Sequence, residues 1–528
     1  MYDFVVVGAG TAGCVIAARL SENPRNRVCL VEAGASDRGP LFGIPAAVGY
    51  LVENPKISWT GQTAPQAALN DRRVVFHAGS VFGGTNSING MVYLRGAAQD
   101  FDSWRDAGNP GWGWDDVLPY FKRSERQERG GDSWHGDSGP LGVSGTDFTY
   151  ASSGLFLKTA ERLGLPERTD FNAGEIVGAG RLQYTLWRGR RQSTAGTFLR
   201  DASRRRNLRI MLRTVVSRVL FEEKQATGIV CQTDGVETRI QARHVVVCLG
   251  ALRSPKLLLL SGVGPARDLA TLGIDIVHDL PGVGQNLHDH AGISMKFRVK
   301  KDLSINHLVN SPRILPHVLQ YLFTRRGLLA SPPSQVYAFV RSRPELKAAD
   351  IRLNLWPASA RASASGIQID DYPAVRMFGG LTRPLSRGSV SLADPDYRTP
   401  PVIDPRYLTH EQDRATMLET VRWMLRFAGT EPLADGILAN ESLAGGDTSD
   451  EALHAHIQAY GGGGDHVVGS CRMGTDKLAV VDPALAVRGL SGLTVADASV
   501  MPWIVSTNTM AATIMIGETA ADSLGYRA

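Results

Sequence analysis

The sequence predicts an α/β fold in two domains, one on a parallel sheet and one of α+β character, and three observations carry that prediction. The chain has 528 residues, well past the roughly 250–300 at which a single hydrophobic core stops growing. It opens with a strand, a glycine-rich turn, a helix and a second strand inside its first 34 residues. Strand-then-helix patterns return around 244–260 and 493–523, while the stretch from 300 to 455 alternates in a different way.

The opening unit justifies the first domain. Asp3 to Val7 is a short β-branched run that reads as a buried strand, followed by Gly8-Ala-Gly10-Thr11-Ala12-Gly13 and a helical pattern through Val15, Ala18 and Leu20. Asn23-Pro24 stops the helix, and Val28 to Val31 reads as the next strand, ending in Glu32. This is a βαβ unit with a GxGxxG turn and an acid about twenty residues on, a Rossmann-type dinucleotide-binding fingerprint. Gly8 makes the tight turn, Gly10 leaves room for a pyrophosphate, and Gly13 permits close helix–strand contact. Free N–H groups at the helix start face the phosphates, and Glu32 is placed to accept from ribose hydroxyls.

The later elements extend that domain and define the second. His244 to Leu249 reads as a strand ending in Gly250, Ser254 to Leu260 as a helix broken by Ser261-Gly-Val-Gly264-Pro265, and Leu493 to Ala496 as a strand before Asp497. A helix is expected from about Asn508 to Ser523. Strands at Val336–Val340, Ile351–Leu355 and Gly388–Leu392, with helices at 312–325 and 411–428, suggest an α+β domain whose sheet walls a pocket. The expected division is 1–155, 190–300 and 456–528 for the nucleotide domain, and 156–189 with 301–455 for the other.

Composition narrows the function classes. The net charge is only +5, and the basic runs Arg188–Arg191 and Arg204–Arg206 read as solvated faces, so no nucleic-acid partner is expected. Five scattered cysteines without a CxxC read as reduced thiols. With no room for a signal segment before Asp3, a cytoplasmic location is expected. No apolar stretch reaches the roughly 20 residues that span a bilayer, which leaves peripheral membrane contact open. No cluster has metal-ligand spacing, so no metal is expected, and no G-x-S-x-G elbow is present.

Several further motifs stand in order along the chain. They are Gly83-Gly84-Thr85-Asn86-Ser87-Ile88-Asn89-Gly90-Met91, Gly250-Ala-Leu-Arg-Ser-Pro-Lys-Leu-Leu258, Pro281-Gly-Val-Gly-Gln-Asn-Leu287 with Asp289-His290, His466-Val-Val-Gly-Ser-Cys-Arg-Met-Gly474 and Val495-Ala-Asp497-Ala-Ser-Val-Met-Pro502. End to end the chain resembles the GMC (glucose-methanol-choline) oxidoreductase family of FAD enzymes, and within it the bacterial sorbose and aliphatic-alcohol dehydrogenases. The resemblance implies a Rossmann-type FAD domain with an α+β substrate domain. It implies catalytic roles for His466 and Asn508. It implies FAD contacts from Gly8, Gly10, Thr11, Ala12, Gly13, Glu32, Ala33, Gly83, Gly84, Thr85, Asn89, Gly90, Met91, Asp497, Ala498, Asn508 and Thr509, and from the backbone of Val216 at the adenine. One subgroup attaches flavin through a histidine where this chain has Ile88, so non-covalent FAD is expected. Val467 and Met510-Ala511-Ala512 depart from the prolines usual in the family.

Alcohol oxidation asks for a base near the hydroxyl and a donor to hold its oxygen. Histidine suits the first and an amide the second; a turn-capping His466 and a helix-capping Asn508 are the plain alternatives. His77, His288 and His290 are weaker candidates, and His290, in the Asp289-His290 pair, reads as local structure. Arg95 is placed near the cofactor phosphates or the rim, without a catalytic role. Trp59, Tyr93, Tyr337 and Trp503 are possible pocket walls. With Trp503, Ile504, Val505 and Met510 as lining, neutral primary alcohols are the expected substrates, with a quinone-type acceptor or dioxygen taking the electrons. A lyase-type flavoprotein of the same fold stays open as the alternative.

Overall fold

The computed structural model describes residues 1–309, 311–363 and 366–525, so residues 310, 364–365 and 526–528 of the expected domain ranges lie outside the described residues. The first sheet is built on the opening unit. Strand Tyr2–Val7 lies between Val28–Val31 and Val236–Val247, parallel to both, with Val5 opposite Cys29 on one side and Val245 on the other. Leu208–Met211 adds beyond Val28–Val31, and Leu493–Val495 pairs in parallel with the end of Val236–Val247. Near-continuous burial of these strands, complete in Val28–Val31, marks a sheet covered on both faces. The helix Thr11–Leu20 lies on Tyr2–Val7 and Val28–Val31, and Met510–Gly525 packs against that helix.

The third sequence strand is longer than expected and changes partners midway. Residues 236–241 of Val236–Val247 pair antiparallel with Gln225–Thr233, which in turn pairs with Thr214–Glu222. Thr214 N donates to Glu32 O at 2.9 Å, so this meander stands beside the acid that ends the second strand.

The second sheet runs Ile437–Asn440, Gly292–Val299, Ala374–Leu381, Ile351–Trp356, Val336–Val340, Gly178–Arg181 and Glu167–Arg168. Helix Glu411–Ala428 covers one face through Met417, Val421 and Met424, all buried. Three expectations need correction. Gly292–Val299 belongs to this sheet, so the first domain's middle segment ends before residue 300; its alternating burial is that of a strand with one covered face. The helix Asp450–Tyr460 packs on Glu411–Ala428 and on Gly292–Val299, so the boundary at 456 cuts through an element. Gly388–Ser391 is absent from the second sheet and pairs instead with Gln285–Leu287 and Val402–Asp404.

Arg191 also departs from expectation. Arg188 and Arg190 are exposed, but Arg191 is buried and donates to Asn86 O and Asn89 O, at 3.4 and 2.6 Å. All five cysteines are buried free thiols.

Candidate functional site

The fingerprint turn is shaped by what a side chain would hit. Gly8 has φ +98°, and a Cβ there would lie 2.5 Å from Cys248 O; a Cβ on Gly13 would lie 1.9 Å from Gly8 O. Gly10, with φ −79°, is different: the nearest atom to its missing Cβ is 3.8 Å away, so its glycine keeps space clear rather than relieving contact with the fold. Thr11 and Ala12 open the helix behind it.

Glu32 is buried, and its two carboxylate oxygens accept from Ala9 N at 2.9 Å and Gly34 N at 2.7 Å. Burial raises its carboxyl above the ordinary range, against the pull of those two N–H groups. The carboxylate is therefore pinned at the strand end with lone pairs left for hydroxyls. Ala33 beside it is exposed, and Val216 lies in the strand that starts at Thr214.

The second glycine pair folds onto the first. Gly83 N donates to Ala9 O at 2.8 Å, and a Cβ on Gly84 would lie 2.8 Å from Gly10 Cα. Thr85 Oγ1 accepts from Gly79 N at 3.0 Å. Asn89 Oδ1 accepts from Met91 N and Arg191 Nη1, both at 3.0 Å, while Gly90 has nothing within 4 Å of its missing Cβ. Met91 is buried at φ +63°. Ile88 is buried with Leu51 and Val81, an aliphatic plug with no nucleophile to offer a flavin.

Asp497 is committed within the protein. Its Oδ2 accepts from Gly250 N at 2.8 Å and Ser254 Oγ at 2.5 Å, and its Oδ1 from Ser499 N at 2.8 Å. Its side chain thus organises the turn that carries Ala498.

The catalytic candidates meet across the two sheets. His466 Nε2 lies 3.0 Å from Asn508 Nδ2, and His466 Nδ1 lies 2.9 Å from His290 Nδ1. The loop 461–468 is held by Asp289, which accepts from His466 N at 2.8 Å, Gly464 N at 3.0 Å and the Tyr407 hydroxyl at 2.7 Å. A Cβ on Gly463 would fall 2.0 Å from the Tyr407 oxygen, so the glycine run lets the loop close on this cluster. Burial pushes the Asp289 carboxyl up to about 7, outweighing its three donors.

The hydrogen bonds assign the tautomers. Burial drives His290 down to about 3, so it is neutral and carries one N–H. Its Nε2 faces two carbonyl oxygens, Thr382 O at 3.2 Å and Val505 O at 3.0 Å, so the proton sits there. His290 Nδ1 is then an acceptor, and His466 Nδ1 must be the donor to it. That leaves His466 Nε2 unprotonated, its lone pair accepting from the Asn508 amide N–H. Asn508 Oδ1 in turn accepts from the Tyr337 hydroxyl at 3.2 Å. Burial, then His290 and the positive charge of Arg352, hold the His466 imidazole well below its ordinary value, so it is unprotonated at neutral pH.

His290 is the residue that sequence reasoning missed. Its signal was the Asp289-His290 pair, in which the acid holds the backbone of His466 and the histidine its ring. His288, by contrast, is local structure: Nδ1 donates to Asn286 O at 2.6 Å and Nε2 accepts from Ile504 N at 3.0 Å. Asn508 is no helix cap, because the last helix starts at Met510 and Thr513 N reaches back to Thr509 O.

Of the aromatic candidates, only Tyr337 touches the pair. Tyr93 is in the core, Trp59 stacks under Arg253 at 4.9 Å, and Trp503 is 43% exposed with Arg387 at 5.6 Å. Arg95 is not at a phosphate site; it is wholly buried against Glu125 at 2.5 Å. Met510 Sδ accepts from Asn86 Nδ2 at 2.7 Å and Asn89 Nδ2 at 3.3 Å, which joins the glycine-rich loop to the end of the chain that carries Asn508 and Thr509.

The arrangement fits a bound dinucleotide. Gly10, Gly90 and Gly250 keep open space, Glu32 is pinned at the strand end, and Arg191 Nε, Arg191 Nη2 and Thr507 Oγ1 are buried without protein partners. Such orphaned buried groups call for something to pair with. Among the described residues, no group of three or more His, Cys, Asp or Glu side chains is gathered for a metal ion.

Residues 2–292 and 384–517 match the N- and C-terminal family models described as GMC oxidoreductase. An alcohol dehydrogenase [acceptor] of Pseudomonas putida is 37% identical over 527 residues, spanning 99% of this chain and 95% of its own length. An oxygen-dependent choline dehydrogenase of Rhizobium johnstonii is 37% identical over 532 residues, with the same coverage. The crystal structure of pyridoxine 4-oxidase from Mesorbium loti superposes with a TM-score of 0.90 at 31% identity, covering 100% of this chain and 99% of that one.

Proposed function

The chain belongs to the GMC oxidoreductase family, and from that premise we propose that it oxidises a small neutral alcohol, primary alcohols above others, with FAD bound non-covalently. It is an oxidoreductase of alcohol-type substrates. The observation that carries the finer reading is the His466–Asn508 pair, with the lone pair of His466 Nε2 turned towards the amide. FAD supplies the hydride acceptor, held by the Gly8–Gly13 turn, Glu32, the 83–91 loop, the Val216 strand and the 497–498 and 508–509 segments.

The protein's own part is proton handling and placement. His466 Nε2 takes the hydroxyl proton of the substrate, and the Asn508 amide N–H donates to the alkoxide oxygen as charge builds there. The carbon-bound hydrogen leaves as hydride, and the product is the aldehyde or ketone. FAD, when bound, would supply the acceptor for that hydride, and a quinone-type acceptor or dioxygen would take its electrons in turn.

Arg352 supports the neutral substrate. Its guanidinium lies 5.0 Å from the centre of the Tyr337 ring, and its charge already acts on His466. A quaternary-ammonium alcohol would be repelled there, whereas a neutral aromatic or aliphatic one would not. The relatives' names span both kinds, alcohol and pyridoxine on one side and choline on the other.

Anaerobic mixing of the purified protein with a panel of alcohols tests this reading. Bleaching of the flavin band by benzyl or medium-chain primary alcohols, with choline slow, is the expected result. Recovery on admitting air reports the acceptor: fast recovery with peroxide marks an oxidase, slow recovery a dehydrogenase. Choline as the best substrate would overturn the neutral-alcohol assignment.

Loss of His290 should misplace the His466 proton. His290→Phe removes the acceptor for His466 Nδ1–H, which frees the proton to move to Nε2 and occupy the basic lone pair. Turnover is expected to fall by about 10²-fold, with KM little changed and FAD retained, as when an orienting partner of a metal-bound or catalytic histidine is lost. His290→Asn, which can still accept, should recover part of it. Equal loss in both variants would show that the ring only fills space.

A further inference from the structure

The helix Leu315–Thr324 is unlike the other helices of the molecule. Tyr321 is its buried anchor, donating to Gly43 O at 3.0 Å and Gly189 O at 3.1 Å. Facing away from that anchor, Leu315, Leu319, Leu322 and Phe323 are 57%, 47%, 53% and 84% exposed. Their spacing of four, seven and eight residues makes one continuous apolar row rather than scattered single residues. Leu41, 46% exposed, adds to it from the turn Pro40–Gly43 that Tyr321 holds.

Charge frames this row. Arg313 lies in the turn that leads into the helix, and Arg325 and Arg326 follow its end. The exposed Arg188 and Arg190 are brought alongside by the Gly189 contact: a Cβ on Gly189 would lie 1.9 Å from Arg325 O, and one on Gly43 3.1 Å from Arg190 Nη2. No Asp or Glu occurs in the sequence between Asp302 and Glu345. Among the described residues, the carboxylate paired there is Asp147, 3.8 Å from Arg326.

We propose that this face, the apolar row of Leu315–Thr324 with its arginine frame, seats the enzyme on an anionic phospholipid surface. An apolar row between arginines is the chemistry of a helix lying in the interface plane, with side chains among the acyl chains and cations among phosphates. A second copy suits it less, because a two-fold pairing of the same patch would set the arginine frame against itself. Such seating brings the enzyme to acceptors dissolved in the bilayer. Lipid binding is read without turnover, so it stands or falls separately from the function proposed above.

The test is sedimentation of the full-length holoenzyme with vesicles of phosphatidylcholine, alone and mixed with phosphatidylglycerol. The wild type should pellet with the mixed vesicles and bind about tenfold less to the neutral ones or in high salt. Leu319→Glu/Phe323→Glu should lower partitioning by at least about tenfold while leaving turnover with a water-soluble dye unchanged. If that variant fails to fold, Arg313→Glu/Arg326→Glu, expected to cost about fivefold per charge, carries the test. Wild-type protein left in the supernatant of the mixed vesicles would overturn the proposal. So would a wild-type dimer that the apolar-row variant converts to monomer, since the occupant would then be a second copy.

Discussion

His466→Ala is expected to lower turnover by about 10³–10⁴-fold while leaving FAD bound, the upper part of what a positioned base contributes. The reason lies in the directed hydrogen bonds. His290, with its proton committed to the carbonyls of Thr382 and Val505, makes His466 donate from Nδ1 and so leaves Nε2 basic. No other side chain in the network offers a lone pair in that place, because Asn508 presents its N–H there and its oxygen to Tyr337. The variant should keep its flavin, since the ring of His466 meets the residues that hold the dinucleotide only through the Asn508 side chain. The pH profile is a second readout. Burial, His290 and Arg352 shift His466 downward, so wild-type kcat/KM should stay flat as pH falls through the ordinary histidine value of about 6.5 and drop only on the more acidic side. A profile that falls with a midpoint near the ordinary value, or an alanine variant with full activity, would place the base elsewhere.

The other large effect is expected at the fingerprint turn, where two glycines should fail in different ways. Gly13→Val puts a Cβ 1.9 Å from the carbonyl oxygen of Gly8 and 3.3 Å from Cys248 Cβ. Both neighbours belong to the buried strand ends, so neither can give way. Destabilisation of about 4 kcal/mol or more is expected, in the range of severe core overpacking and backbone clash, seen as loss of soluble protein or a lower urea midpoint. Gly10→Ala is the contrast. Its φ of −79° suits any residue and its Cβ would meet only Cys248 O, at 3.8 Å. The chain should fold with unchanged thermal stability as apoprotein and bind FAD at least tenfold more weakly, about 1.4 kcal/mol, because the methyl group occupies space that the pyrophosphate needs. Normal flavin content in Gly10→Ala would remove the pyrophosphate from that place.

How much of this was legible beforehand depended on whether the signal was local. The βαβ unit, the acid at Glu32 and the helix Glu411–Ala428 are written in consecutive residues, as periodicity and turn chemistry. The family motifs likewise placed His466 and Asn508 together by resemblance. Sheet membership was not local. Gly292–Val299 and Gly388–Ser391 both alternate like half-buried strands, and alternation reports a covered face without naming the partner. Arg191 stands in an arginine run that reads as solvated, yet it is buried against the 83–91 loop because its neighbours Arg188 and Arg190 take the exposed side of a tight hairpin.

By itself, the sequence determined the family, the dinucleotide fingerprint and the chemical type of the two central side chains, since these rest on residue identity and short spacing. Only the tertiary structure decided which nitrogen of His466 is basic. That choice is made by His290, 176 residues away in the chain, and by two carbonyl oxygens from separate segments. A tautomer is set by the direction of hydrogen bonds in space, and no pattern along the chain encodes direction.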